Sequence, residues 1–222
     1  SSARTRERSY IHKLVKAAVK DFTTVHGEPV FAAGEPVVIY FESDGRKRAE
    51  LVGGNGEVGV DVAAGMRRIV APLVLPDHDT KRAEFASSMQ QYLLFTLYPH
   101  DCAGWVHWGE EAVAYMEAAC GKSLPSHPRS WSRLESVRFQ LADIATNAAP
   151  KDFQLVDAAS WVAFFRIGSS KYQKAYTELL AELRTTTEPE VVMKAMVNSF
   201  DQLKLRADAR KTLERKLKRV KG

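Results

Sequence analysis

Along most of this sequence the apolar residues recur three and four positions apart, and only between Val37 and Val62 does the spacing drop to two. Helix-period runs of a dozen residues or more must bury a stripe against one another, whereas a short period-two stretch builds only a few strands. The expected fold class is therefore α+β: a predominantly helical bundle with a small three-stranded antiparallel meander in the first third. In the meander, Val37–Phe41 is the first strand and Asp44-Gly45 a hairpin dipeptide. Arg48–Val52 returns as the second strand, Asn55-Gly56 makes the next turn, and Val58, Val60 and Val62 form the third.

The helical readings follow the same stripe. Tyr10, Ile11, Leu14, Val15, Ala18, Val19 and Phe22 share one face of a first helix, with Lys13, Lys16 and Lys20 mostly off it. Ala63–Val70 reads as a short helix before Pro72 and Pro76. Asp79 then caps a longer helix that buries Phe85, Met89, Tyr92, Leu93 and Leu97 and stops at Pro99. Helices are also expected over Glu110–Cys120, from Ser130, over Phe153–Arg166, Lys171–Arg184 and Pro189–Phe200, and from Leu205 to the end. Two regions result. Residues 1–76 hold the basic first helix and the small sheet, and residues 77–222 hold the bundle with its basic last helix, with the two able to form one continuous domain.

Gly54, Gly56 and Gly59 have the spacing of a phosphate-cradling loop, G-x-G-x-x-G. Such a loop has to open a helix whose first N–H groups hold the phosphates. Here the glycines lead into alternating valines, so the segment reads as a turn. The acids Asp44, Glu50 and Asp61 with Lys47 lack the acid-x-lysine spacing of a nuclease strand. Asp77-His78-Asp79 stands directly before a helix and reads as a cap. In the run YPHDCAGWVHWGEE, His100, Asp101, Cys102, His107, Glu110 and Glu111 lie close together without the paired spacing of a zinc site or an oriented cysteine nucleophile. Trp105 and Trp108 there, and Trp161, Phe164 and Phe165 later, are read as core. No complete catalytic or cofactor motif is present, so no enzyme activity, cofactor or metal is expected.

Charge points to a partner. Residues 204–222 hold nine basic side chains against Asp208 and Glu214, a net +7, while the whole 222-residue chain carries +5 and the remainder therefore −2. Leu205, Ala209, Leu213, Leu217 and Val220 keep an apolar stripe, so this helix docks one face and displays Lys204, Arg206, Arg210, Lys211, Arg215, Lys216 and Arg219. A cationic helix face neutralises backbone phosphates and releases counterions, carrying little sequence information. A solvated helix end favoured by the dipole is the plainer reading of the same charges.

Nothing in the sequence reaches the length of an apolar membrane span, and no signal-peptide block follows the basic start. Two cysteines, Cys102 and Cys120, are too few for a secreted disulfide framework and fit free thiols in the cytoplasm. Starting at Ser1 and not methionine, the chain is expected either to be processed or to be cut from something longer that carries a neighbouring domain.

Leu93–Gly121 (LLFTLYPHDCAGWVHWGEEAVAYMEAACG), the helix from Ser130, and Asp152–Phe165 (DFQLVDAASWVAFF) follow one another in an order that resembles the helical accessory regions beside the motor domains of McrB-like restriction ATPases and related defence proteins. The shared features are a leucine-leucine-tyrosine-proline helix end, a further helix and a closing helix with aspartate, apolar residues and tryptophan. This chain departs from the pattern at His100-Asp101-Cys102, where an acidic-basic-aromatic triplet usually stands, and it has no Walker motif. The resemblance implies a non-catalytic accessory module of a DNA-processing or defence assembly. Its partner would be nucleic acid, duplex DNA first, held by the last helix and by Lys13, Lys16 and Lys20. The alternative is a protein-interaction scaffold docking an acidic partner.

Overall fold

The computed structural model describes residues 2–29, 38–42, 44–52, 59–61, 68–71, 79–98, 105–120 and 155–218. They fall in two compact units, Ser1–Leu97 and Tyr98–Gly222. The boundary expected near Pro76 lies outside the described residues, and the following helix belongs to the first unit.

In the first unit, α1 (Ser2–His26) buries Ile11 and Phe22, half-buries Leu14, Val15, Ala18 and Val19, and leaves Lys13, Lys16 and Lys20 exposed. Gly27 closes it with φ of 79°, a left-handed conformation that glycine adopts without Cβ strain, and donates its N–H to the Thr23 carbonyl at 2.9 Å. Phe22 stacks on buried His26 at 4.5 Å, and the Gln90 amide lies 3.4 Å from the His26 ring, tying α1 to α3 (Asp79–Leu97).

The sheet corrects the sequence reading. Its strands β1 (Val38–Phe41), β2 (Gly59–Asp61) and β3 (Arg68–Ala71) run in the order β1-β3-β2, with β1 parallel and β2 antiparallel to β3. Ile39 pairs with Ile69, and Val60 pairs with Ile69 from the other side. This is no antiparallel meander, because residues 45–52 are helix α2 (Gly45–Val52) and not a returning strand. Asp44 decides the difference. Its carboxylate accepts the backbone N–H of Arg46 at 2.8 Å and of Lys47 at 3.3 Å, so Asp44 caps a helix where Asp-Gly was read as a hairpin turn. The segment Arg46-Lys47-Arg48-Ala49-Glu50-Leu51 is made of strong helix formers. With α2 in the connection, β1 reaches β3 as a parallel neighbour, which a tight hairpin cannot produce.

The short helix expected over Ala63–Val70 is also corrected: Arg68–Ala71 is the central strand, where β-branched Ile69 and Val70 are fully buried. Residues 63–67 lie outside the described residues. Helix α3 packs on the sheet and on α1, and buries Ala83, Phe85, Met89, Tyr92, Leu93 and Leu94, with Leu97 half-buried.

The second unit contains α4 (Trp105–Cys120), α5 (Leu155–Ile167), α6 (Ser170–Leu183), α7 (Pro189–Asn198) and α8 (Gln202–Lys218). Helix α5 is its centre, packed on α4, α6 and α8, and Ser160 to Phe165 are buried without a break. A helix apolar all round is one surrounded by others. Its Trp161, Phe164 and Phe165 join Tyr172, Tyr176 and Phe200 in one aromatic cluster, with centroids 4.8 to 6.4 Å apart, so these rings are core as read from their spacing. The helix expected from Ser130 lies outside the described residues. Among the described residues, no helix is long and apolar enough to cross a membrane.

Candidate nucleic-acid interface

Helix α8 begins where Asp201 accepts the backbone N–H of Lys204 at 2.8 Å, an N-cap that fixes the register of every cation after it. Leu205 and Ala209 are buried and set the inward face. At roughly 100° per residue, Lys204, Lys211 and Arg215 then fall within about 40° of one another. All three side chains are exposed. No ion pair or hydrogen bond joins the Lys211 or Arg215 side chain to another described residue.

The remaining cations divide. Arg206 and Arg210 lie roughly 100–180° around the helix from that stripe; Arg206 is half-buried and Arg210, though exposed, is already engaged by another group. Lys216 lies within α8, and Arg219 lies outside the described residues. On α1, Lys13, Lys16 and Lys20 share a stripe of their own in the first unit.

A cleft of about 340 Å³ opens beside the α8 stripe. Gly168, Ser169 and Tyr172 line it from the elbow between α5 and α6, and Asp208, Lys211, Thr212 and Arg215 line it from α8. The elbow is tight because Gly168 lacks a Cβ: one built there would meet the Phe164 carbonyl oxygen at 2.7 Å. The Gly168 N–H donates to that same oxygen. Ser169 is the N-cap residue of α6 and its hydroxyl makes no capping bond.

On the cleft floor, the buried Tyr172 hydroxyl donates to Asp208 Oδ2 at 2.6 Å. Burial pushes the Tyr172 phenol well above its ordinary range, and the Asp208 carboxylate, which accepts its proton and repels a phenolate, pushes it the same way. Lys171 turns aside, with its ammonium over the Tyr172 ring at 4.5 Å and the Phe200 ring at 5.7 Å. The residues lining the cleft thus carry two cations, two aliphatic hydroxyls and one carboxylate already tied to a tyrosine.

The central cluster of the sequence resolves differently. His100, Asp101 and Cys102 lie outside the described residues. His107 and Glu110 are buried on α4, and Glu110 pairs with the Arg166 guanidinium of α5 and accepts the Tyr176 hydroxyl of α6. A carboxylate wholly out of water is retained only with such partners. Glu110 is therefore a strut between three helices, a role the sequence showed only as one acid among several. Gly59 opens strand β2 and no helix, while Gly54 and Gly56 lie outside the described residues. Asp44 caps α2, with Lys47 and Glu50 exposed on the helix it caps, and Asp79 starts α3. Among the described residues, no three His, Cys, Asp or Glu side chains come together as a metal site.

Set against known protein families, curated proteins and solved structures, the chain matches none.

Proposed function

We propose that the chain is a non-catalytic nucleic-acid-binding module, with duplex DNA as its first ligand, working inside a larger DNA-processing or defence assembly. The observation that carries this reading is the alignment of Lys204, Lys211 and Arg215 on one exposed stripe of α8, the last two with no anionic partner among the described residues. Surface lysines and arginines commonly find a carboxylate one turn away, as Lys174 does with Glu178 and Lys194 with Glu190. Cations left without one can neutralise backbone phosphates and release the counterions condensed on the nucleic acid. The Lys13, Lys16 and Lys20 stripe of α1 is a second contact of the same kind. The resemblance of residues 93–165 to accessory regions of McrB-like ATPases points to the same setting.

The test is anisotropy of labelled duplex DNA, single-stranded DNA and duplex RNA with the chain and with K204Q/K211Q/R215Q. The module reading expects the variant to lose about tenfold or more in affinity and to show a salt slope shallower by roughly 3, one for each phosphate contact removed. R206Q/R210Q removes two charges on the other side of the helix and is expected to lose far less than two-thirds of that effect. Equal binding by all three proteins would sink the reading.

The alternative, docking on an acidic protein, draws on Leu203 and Val191, apolar residues that are 80% and 57% exposed. It expects a partner that stays bound after nuclease treatment and high salt.

A further inference from the structure

We infer that the cleft between the α5–α6 elbow and α8 is a discrete seat for one phosphate group, the point at which a nucleic-acid strand is gripped and not merely attracted. This deepens the proposed function and rests on it for the identity of the ligand. Lys211 and Arg215 are one helical turn apart, so their stems rise about 5–6 Å from each other, a separation that two cations bridge around a single tetrahedral anion. Both line the cleft, and no ion pair or hydrogen bond joins either side chain to another described residue. Ser169 and Thr212 line the same space, and neither hydroxyl makes a hydrogen bond to another described residue.

The carboxylate in the cleft is the feature that would oppose an anion. Asp208 has Oδ2 held at 2.6 Å by the Tyr172 hydroxyl, a donor that burial keeps protonated, so part of its charge is satisfied at the floor. The nearby cation of the elbow, Lys171, is held over two aromatic rings and leaves the space to the α8 pair. The walls are preorganised, because the close packing of Gly168 on the Phe164 carbonyl fixes the elbow and Asp201 fixes the register of α8. A seat built in advance loses little freedom on binding, which is what separates a gripped phosphate from a diffuse counterion.

The experiment is a titration of the full chain with inorganic phosphate at constant ionic strength, balanced with chloride and followed by amide NMR. Saturable shifts of the Ser170, Lys171, Lys211, Thr212 and Arg215 amides are expected. In K211Q/R215Q, with the rest of the spectrum unchanged, affinity falls about tenfold or more, as loss of two charge-assisted contacts requires. K174Q/K194Q, at lysines already paired with Glu178 and Glu190, keeps the parent response. No saturable shift at those amides, or the same affinity in K211Q/R215Q, overturns the seat. A duplex with 5′-phosphates compared with the same duplex ending in hydroxyls identifies the source: tighter binding of the phosphorylated one assigns a strand terminus, and equal binding assigns the backbone diester. Duplex binding without a phosphate response overturns the seat and leaves the module reading standing. A phosphate response without duplex binding keeps the seat and overturns the module reading.

Discussion

At Gly168 a single added carbon has nowhere to go. Gly168→Ala forces the α5–α6 elbow apart against backbone, and we expect it to cost about 1–3 kcal/mol, read from the shift in urea midpoint. Glu110→Ala leaves the Arg166 charge without its buried partner and is expected to cost about 3–5 kcal/mol, whereas Tyr176→Phe removes one donor and costs about 1–3 kcal/mol. The reverse order of those two losses would contradict the strut. Tyr172 gives a pH prediction. Its folded-state pKa is raised, so the folded protein holds the proton that the unfolded chain gives up near pH 10. The stability it contributes is complete below that pH and drains away as pH climbs above it. Tyr172→Phe should flatten that alkaline loss, which unfolding curves at neutral and alkaline pH will show.

The sequence revealed these residues unevenly. The aromatic core of α5 was visible because helical spacing and ring size are written locally. Glu110, Arg166 and Tyr176 were not, because their meeting depends on how three helices pack, and no local pattern encodes the partner of a buried acid.

Among the elements, the long helices and the strands at Val38–Phe41 and Gly59–Asp61 announced themselves, while α2, β3 and the pairing of the sheet did not. The last four helices were expected to within a few residues, since each carries its own stripe and its own boundary signal, such as Pro189 opening α7. The meander failed at one ambiguity: Asp-Gly serves equally as a hairpin turn and as the cap and first residue of a helix, and the choice belongs to the residues that follow. Asp44→Ala is accordingly expected to destabilise α2, and Asp201→Ala to destabilise α8, each by about 1 kcal/mol. Amide exchange would show the effect as faster opening of the first turn of each helix. The α8 variant carries a further consequence, since fraying there loosens the register of Lys204.

Over the whole molecule, charge is the property that the linear sequence reported correctly in amount and incompletely in direction. The net +7 of residues 204–222 against −2 elsewhere is a fact of composition, but a helix spreads it around its circumference; among the cations whose exposure is described, Lys204, Lys211 and Arg215 share one stripe, and Lys211 and Arg215 line the cleft. Arg206 and Arg210 were counted with them and belong to another face. The two basic stripes lie on separate compact units, so K13Q/K16Q/K20Q and K204Q/K211Q/R215Q can be compared independently. The measurement that bears most directly on the account is the salt dependence of duplex DNA binding by the parent chain and by K204Q/K211Q/R215Q. The account predicts parent binding that weakens by an order of magnitude or more between 50 and 200 mM salt and a variant with a shallower slope and about tenfold lower affinity. Parent and variant curves that coincide, or no parent binding at the lower salt, would contradict it.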